Sequence, residues 1–210
     1  MSNDRKKSNK VLRIHYEDML APVGRFLAKS GISPNAVSVL AVLVSVASCF
    51  AFADRSIVFG LLFMAIACWM DMLDGSIARA KGQATRFGQV FDHTLDRYAE
   101  FFFLLGILAG GYVDGGWILF TLFGMTMASF VRAKAESVDS KINCSVGIAE
   151  RKEKLFTLAF GASLQYFYEN DFLEIWKFSF NPLTAAVVIV GVLSHISALQ
   201  RLKYAKKVMS

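Results

Sequence analysis

Long runs of mostly apolar residues alternate with short polar segments along the chain. The apolar runs cover 36–53, 57–70, 98–113, 117–131, 155–168 and 183–200. An apolar α-helix of about 20 residues is long enough to cross a bilayer. The segments between the runs carry turn signals, such as Asp54-Arg55 and Asn181-Pro182, and therefore favour separate helices.

A polar segment, 71–97, interrupts this pattern but keeps a helical period. Polar and small positions from Asp71 repeat at i, i+3, i+4 and i+7, and those from Gly88 to Asp96 recur at every fourth residue. Each set therefore shares one helix face. We extend the second helix through Asp71 to Arg79 and begin the third near Gly88. The predicted fold class is an all-α integral membrane protein with six transmembrane helices.

The N-terminal segment differs from the apolar runs. Residues 11–30 mix apolar and charged side chains and contain Pro22, which predicts an amphipathic helix at the membrane interface, bent near the proline. The predicted organisation has two parts. Residues 1–30 form a cytoplasmic tail with the interfacial helix, and residues 31–210 form a six-helix transmembrane catalytic domain.

The composition excludes most other classes of protein. Hydrophobic residues make up 55% of the 210 residues and charged residues only 19%, against roughly 25% charged in soluble domains. Disordered chains, collagens and disulfide scaffolds are excluded by the same numbers. Six spans use almost the whole length, so any chemistry must lie on the helices themselves.

The distribution of basic residues predicts the orientation. The net charge is +6, and 20 of the 23 Lys and Arg residues lie in the N-terminus, the 79–88 loop, segment 132–154 and the C-terminus. Basic residues collect on the cytoplasmic side of membrane proteins. We therefore expect a multi-pass protein of the cell membrane whose termini and polar segment are cytoplasmic, and no nucleic-acid partner.

Four carboxylates, Asp71, Asp74, Asp92 and Asp96, lie on two adjacent helices at membrane depth. Charges inside a membrane are costly unless they are paired, and they mark function by default. Converging carboxylates repel one another, and divalent cations remove that repulsion. Oxygen ligands without His or Cys at ligand spacing suit Mg²⁺, Mn²⁺ or Ca²⁺, with room for one or two ions.

Small and basic residues beside the aspartates extend this interpretation. Gly75 and Gly88 allow a ligand to approach the backbone closely, and Arg79 can bind a phosphate through two hydrogen bonds. Together they describe a diphosphate site. Three other interpretations stay open: a solvated helix end with no ligand, a carboxylate-lined cation transporter, and an intramembrane prenyltransferase.

The pattern D-x2-D-G-x2-A-R, a spacer and G-x3-D-x3-D resembles the signature of the CDP-alcohol phosphotransferases. The matching residues are Asp71, Asp74, Gly75, Ala78, Arg79, Gly88, Asp92 and Asp96. The resemblance covers most of the chain, since that family also has six helices behind an amphipathic N-terminal helix.

The resemblance implies an activity and a set of roles. Members displace CMP from a CDP-linked lipid by the hydroxyl of a small polar alcohol, with two Mg²⁺ or Mn²⁺ ions. It implies that Asp71, Asp74 and Asp92 bind metal and that Asp96 lies near the second ion as general base. The CDP-lipid pocket is then formed by Asp74, Gly75, Ala78, Arg79 and Gly88.

Segments 129–136 and 146–154 resemble those of the phosphatidylinositol-phosphate and archaetidylinositol-phosphate synthases. By this similarity Arg132, Arg151 and Arg201 bind the phosphate of an inositol phosphate acceptor, with Lys134 nearby. Glycerol 3-phosphate stays open as an acceptor because it also carries a phosphate, and serine is a further alternative. His93 is a departure, since those synthases carry a small polar residue after the third aspartate.

The remaining expectations concern partners. We expect the lipid substrate to be CDP-diacylglycerol or CDP-archaeol. The two stay open because an apolar groove binds acyl and isoprenoid tails without distinguishing them. The resemblance also implies a homodimer embedded in membrane lipid.

Overall fold

The structure is a computed structural model that describes residues 22–29, 31–82, 85–139, 142–169 and 181–209. The described residues form helices and contain no strand. The helices are α1 (22–29), α2 (Pro34–Ala53), α3 (Ile57–Ala80), α4 (Arg86–Ala109), α5 (Gly115–Val138), α6 (Arg151–Glu169) and α7 (Pro182–Met209). The all-helical prediction is therefore confirmed for the described part of the chain.

The six predicted apolar helices are all present, but α5, α6 and α7 are longer than hydropathy indicates. Helix α5 continues to Val138, where Arg132 and Glu136 pair one turn apart at 3.0 Å. Helix α6 begins at Arg151, because the Glu153 carboxylate accepts the Glu150 backbone N–H at 2.8 Å and caps the first turn. A search for apolar runs stops where charged residues begin, so it misses the charged last turns of α5 and the charged first turn of α6.

Four of the described helices, α2, α3, α5 and α7, are long and apolar enough to cross a membrane. Helices α4 and α6 do not meet that criterion, although α4 has 24 residues and α6 has 19. Helix α4 carries five charged residues within its first fifteen, from Arg86 to Glu100, which lowers its mean hydropathy. The prediction of a multi-pass helical protein thus holds, while the number of six spans stays a prediction.

The chain divides into two compact units. The first contains Met1–Val46 and Phe63–Ala99 and carries the whole 71–96 motif. Within it, α1 packs closely on α3, since a Cβ added at Gly24 would overlap the Ser76 side chain. Residues 11–21 and 30 of the predicted interfacial helix lie outside the described residues. The predicted amphipathic helix therefore stays a prediction.

The second unit contains Ala47–Leu62 and Glu100–Ser210. Helices α5 and α7 approach closely where small residues meet, since a Cβ at Gly124 would lie 2.8 Å from the His195 ring. His195 Nε2 lies 3.1 Å from the Phe120 carbonyl, and the His195 ring packs against the Phe120 ring. Small residues here let the helices approach closely, and the Thr121 hydroxyl of α5 also donates to the Val187 carbonyl of α7 at 2.8 Å.

The Gly106-x3-Gly110 pair of α4 contacts α2 within the same chain. A Cβ at Gly106 would lie 2.7 Å from the Cys49 backbone, and one at Gly110 would overlap the Phe52 carbonyl. Within this chain the pair is thus a close-packing face of α4 toward α2. It therefore gives no support to a dimer contact.

Candidate active site

Three aspartates of the first unit converge. Asp71 and Asp74 lie one turn apart on α3, Asp92 lies on α4, and each offers a carboxylate oxygen such that all three oxygens lie within 4.8 Å of one another. The i, i+3 spacing on α3 brings the first two together, and α4 brings the third. The predicted convergence of these residues is therefore present.

The Asp74 carboxylate is the most enclosed of the three. Asp74 is 5% exposed, and its Oδ2 accepts a hydrogen bond from the Ser38 hydroxyl of α2 at 2.5 Å. A buried carboxylate is costly unless opposite charge and hydrogen bonds compensate it. Ser38 supplies a hydrogen bond but no charge.

A divalent cation fits this group of carboxylates. Three negative groups within 4.8 Å repel one another, and a cation at their centre turns that repulsion into attraction. The donors are all carboxylate oxygens, the ligands that Mg²⁺ prefers and Mn²⁺ accepts. The chemistry and spacing of the donors thus agree with the predicted metal site.

Asp96 follows Asp92 by one turn of α4 and is partly buried. It does not belong to the group of three oxygens found among the described residues. The i+4 spacing places both side chains on the same face of α4. His93 is exposed, and as the next residue it projects about 100° away from Asp92.

The predicted nucleotide-binding residues follow the aspartates along both helices. The Arg79 guanidinium lies back over the preceding turn, since a Cβ at Gly75 would be 3.4 Å from its Nη1. Ala78 lies one turn after Asp74 and is partly buried. The glycine thus leaves backbone accessible beside an arginine.

Gly88 lies in the first turn of α4. Its backbone N–H donates to Thr85 Oγ1 at 2.9 Å, so Thr85 acts as the N-cap of the helix. A Cβ at Gly88 would come within 3.1 Å of that oxygen. The glycine therefore fits closely beside the cap.

Arg132 and Arg201, two of the predicted acceptor-binding residues, surround one loop of the second unit. Glu136 accepts from Arg132 Nε at 3.0 Å and from the Cys144 backbone N–H at 3.0 Å. Burial has the largest effect on the Cys144 thiol and raises its pKa. The nearby positive charges of Arg201 and Arg132 lower that pKa. Both arginines therefore lie within electrostatic range of Cys144.

The Arg201 guanidinium is held by the backbone. Its Nε donates to the Val146 carbonyl at 2.8 Å and its Nη1 to the Ala128 carbonyl at 2.6 Å. A Cβ at Gly147 would lie 3.8 Å from Nη2. From its place on α7, Arg201 thus links the 142–150 loop to the α5 backbone, a structural role that its sequence position does not show.

Arg151 is held by a buried acid. Its Nε lies 3.3 Å from the Glu100 carboxylate, which is 2% exposed. Lys134 is exposed and lies about 200° around α5 from Arg132, on a different face. The structure therefore gives the two arginines acidic partners and leaves Lys134 at the surface.

Several polar residues of these surroundings have no signal in the sequence. Ser38 and Glu100 are such residues, because their partners lie 36 and 51 positions away. Glu136 lies one helix turn after Arg132, but its contact with the Cys144 backbone N–H, 8 positions away, has no sequence signal. Lys154 belongs to the basic segment 132–154 that is predicted to be cytoplasmic, but it is buried, with 6% exposed. One signal was available for Lys154, since it lies three residues after Arg151 and so shares its helix face.

The sequence profile described as CDP-alcohol phosphatidyltransferase matches residues 31–197. The chain belongs to this family. The match covers the aspartate motif, the arginines of α5 and α6, and five of the apolar helices completely.

Relatives of similar length support this assignment. The archaetidylinositol phosphate synthase of Pyrococcus horikoshii is 32% identical over 196 residues, which are 93% of this chain and 95% of the relative. The archaetidylinositol phosphate synthase of Methanothermobacter thermautotrophicus is 33% identical over 162 residues, 77% of each chain.

Solved structures agree with the fold. The phosphatidylinositol phosphate synthase of Mycobacterium tuberculosis with CDP-DAG bound superposes with a TM-score of 0.74 at 28% identity, covering 90% of this chain and 94% of that one. The same enzyme in complex with manganese and citrate gives a TM-score of 0.72 at 27% identity, covering 89% and 88%.

The family membership decides between the interpretations that the sequence left open. This CDP-alcohol phosphatidyltransferase is a multi-pass membrane enzyme that depends on a divalent metal. It transfers the phosphatidyl-type group of a CDP-linked lipid to the hydroxyl of an alcohol and releases CMP. The cation transporter is not favoured, because the transferase accounts for the glycines and Arg79 as well as for the aspartates.

Proposed function

We propose that this enzyme transfers the lipid phosphate of a CDP-linked lipid to a hydroxyl of inositol 1-phosphate. The observation that carries the proposal is that contacts hold three cations of the second unit, Arg132, Arg151 and Arg201, in fixed positions, because an acceptor with its own phosphate requires cations to bind it. Two relatives that match 90% or more of this chain are the archaetidylinositol phosphate synthase of Pyrococcus horikoshii and the phosphatidylinositol phosphate synthase of Mycobacterium bovis, which favours the same acceptor. The tails of the lipid are acyl in CDP-diacylglycerol and isoprenoid in CDP-archaeol.

Asp71, Asp74 and Asp92 would hold one Mg²⁺ or Mn²⁺ ion, with Asp96 close to a second. The ions, when bound, neutralise the diphosphate and the charge that develops on it. Gly75, Ala78, Arg79 and Gly88 would line the cytidine diphosphate, with the Arg79 guanidinium donating to phosphate oxygens.

Asp96 would act as the general base. It removes the proton of the acceptor hydroxyl as that oxygen bonds to the phosphorus nearest the lipid. The bond from this phosphorus to the oxygen of CMP breaks, and CMP leaves with the electron pair. Its place one turn from Asp92, outside the group of three oxygens, supports a role different from theirs.

Acidic partners would prepare the arginines for an anion. Glu136 orients Arg132, and the buried Glu100 orients Arg151. Two nitrogens of Arg201 donate to backbone carbonyls, which leaves its Nη2 for the acceptor's phosphate. Side chains held in place in advance lose less entropy when they bind.

CMP release with a panel of acceptors tests the proposal. We expect inositol 1-phosphate to support turnover and inositol, serine and glycerol 3-phosphate to support little. We expect Arg151→Ala to raise the KM for inositol 1-phosphate about ten- to a hundredfold, since a charge-assisted hydrogen bond contributes about 1.5–3 kcal/mol. The affinity for the CDP-lipid should stay as in the wild type.

Lys152→Ala is the matched control, because Lys152 is the next residue of α6 and is exposed. It should leave both constants unchanged. Preference of the wild type for inositol or serine would contradict the inositol phosphate acceptor. An unchanged KM in Arg151→Ala would remove Arg151 from the acceptor site.

We propose further that the enzyme spans the membrane six times, with both termini and the active site in the cytoplasm, and that it forms a homodimer. Helix α4 has 24 residues and α6 has 19, about 36 and 28 Å at 1.5 Å per residue, which suits a bilayer core. The clustering of basic residues supports the orientation. The homodimer rests on the family resemblance alone.

Cysteine labelling in intact cells tests the orientation. In a variant whose three native cysteines are replaced by alanine, we expect Asp54→Cys to react with an impermeant maleimide and Lys203→Cys to react only after the cells are opened. Both native side chains are exposed in the structure, so access to the reagent depends on the membrane. Labelling of Lys203→Cys in intact cells would reverse the orientation.

A further inference from the structure

The start of α2 is held in a fixed position. The Ser33 hydroxyl accepts the Ala36 backbone N–H at 3.2 Å, which makes Ser33 the N-cap, and Pro34 occupies the first helical position that suits proline. The Lys81 ammonium donates to the Ile32 carbonyl at 2.7 Å. These contacts place the end of α3 beside the start of α2.

Ser38 lies one turn into this helix and contacts the metal-binding group. Its hydroxyl is 2.5 Å from Asp74 Oδ2 and 3.2 Å from the Pro34 carbonyl, and the residue is 6% exposed. The hydroxyl has one hydrogen, and the carboxylate is the closer and more strongly negative acceptor. Little water can reach either group to replace this bond.

We propose that Ser38 is a positioning residue for the metal site. Its hydrogen bond fixes the rotation of the Asp74 carboxylate against the repulsion from Asp71 and Asp92. A carboxylate already held in its binding orientation loses less freedom when it binds a cation. Partners that orient metal ligands contribute about ten- to a hundredfold in metal affinity.

Other serines on α2 show how Ser38 differs from a merely structural residue. Ser45 and Ser48 are completely buried, and they donate to the Val42 and Gly60 carbonyls at 2.7 Å. Their hydroxyls satisfy backbone groups, as is usual for serine in an apolar helix. Ser38 is also near a backbone carbonyl, but its shorter contact is to a carboxylate of the metal group.

The experiment compares two substitutions of Ser38 whose new side chains have the same shape. Ser38→Thr keeps the hydroxyl, and Ser38→Val replaces it with a methyl group at the same added volume. Binding of Mn²⁺ to the purified full-length enzyme, without substrates, is followed by the electron paramagnetic resonance signal of free Mn²⁺. We expect Ser38→Val to bind Mn²⁺ about ten- to a hundredfold more weakly than Ser38→Thr.

Two further readouts separate positioning from a loss of structure. In CMP release, the half-saturating Mn²⁺ concentration of Ser38→Val should rise, while most of the rate returns at saturating Mn²⁺. The Tm without metal should be the same in Ser38→Val and Ser38→Thr. Ser38→Ala, which adds no volume, gives a second comparison against Ser45→Ala, whose Mn²⁺ affinity should match the wild type.

The proposal is wrong if Ser38→Val and Ser38→Thr bind Mn²⁺ equally, or if Ser38→Ala binds it as tightly as Ser45→Ala. The alanine comparison decides the matter if the larger residues prevent folding. None of these outcomes depends on which alcohol accepts the lipid phosphate, so failure here leaves the proposed acceptor untouched.

Discussion

Asp92→Asn is expected to lower CMP release by about three orders of magnitude or more. It removes one of three carboxylates whose oxygens lie within 4.8 Å of one another, and an amide supplies no charge to hold the cation. A bound metal contributes several kcal/mol of charge stabilisation, and each 1.4 kcal/mol, roughly, corresponds to tenfold in rate. Asp71→Asn and Asp74→Asn should have effects of the same size.

The measurement pairs turnover with Mn²⁺ binding. The affinity of Asp92→Asn for Mn²⁺ should fall together with its activity, and EDTA should abolish CMP release by the wild type until Mg²⁺ or Mn²⁺ is added. Asp54→Asn is the control, because Asp54 lies exposed in the α2–α3 turn and should change neither quantity. Full activity of the wild type in EDTA would contradict the assignment of the three aspartates.

Asp96→Asn is expected to lower kcat by about 10²- to 10⁴-fold, the usual contribution of a general base. An amide cannot take the proton of the acceptor hydroxyl. The Asp71, Asp74 and Asp92 carboxylates remain, so binding of the first metal ion and of the CDP-lipid should largely persist. This combination differs from the one expected for Asp92→Asn, in which binding and turnover fall together.

Single-turnover CMP release, with Mn²⁺ stoichiometry measured in parallel, separates the two predicted roles of Asp96. A loss of rate with two ions still bound supports the general base. A loss of one ion supports a part in holding the second metal. Near-normal turnover of Asp96→Asn would remove Asp96 from the chemistry altogether.

The sequence by itself determined the features that depend on local spacing. Asp71 and Asp74 share a helix face because a helix repeats every 3.6 residues, and Gly88, Asp92 and Asp96 share another for the same reason. Hydropathy located the apolar helices because spanning segments must be apolar along most of their length. Hydropathy did not locate the helix ends, since capping by Glu153 at the start of α6 depends on side-chain geometry.

Only the tertiary structure decided which distant residues meet. The carboxylate of Asp92 joins those of Asp71 and Asp74 because the fold brings this part of α4 to α3, and no local period requires that. Ser38 reaches Asp74 across 36 residues, although an isolated serine in an apolar helix usually satisfies its own backbone.

The arginines of the second unit show the same division. Their charge and their position just outside the apolar runs follow from the sequence, but the partners of each guanidinium do not. Arg201 donates to two backbone carbonyls while Arg151 meets a buried carboxylate. A guanidinium binds either kind of acceptor, so the packing of the surrounding backbone, rather than the residue type, determines how much of each arginine remains for a substrate.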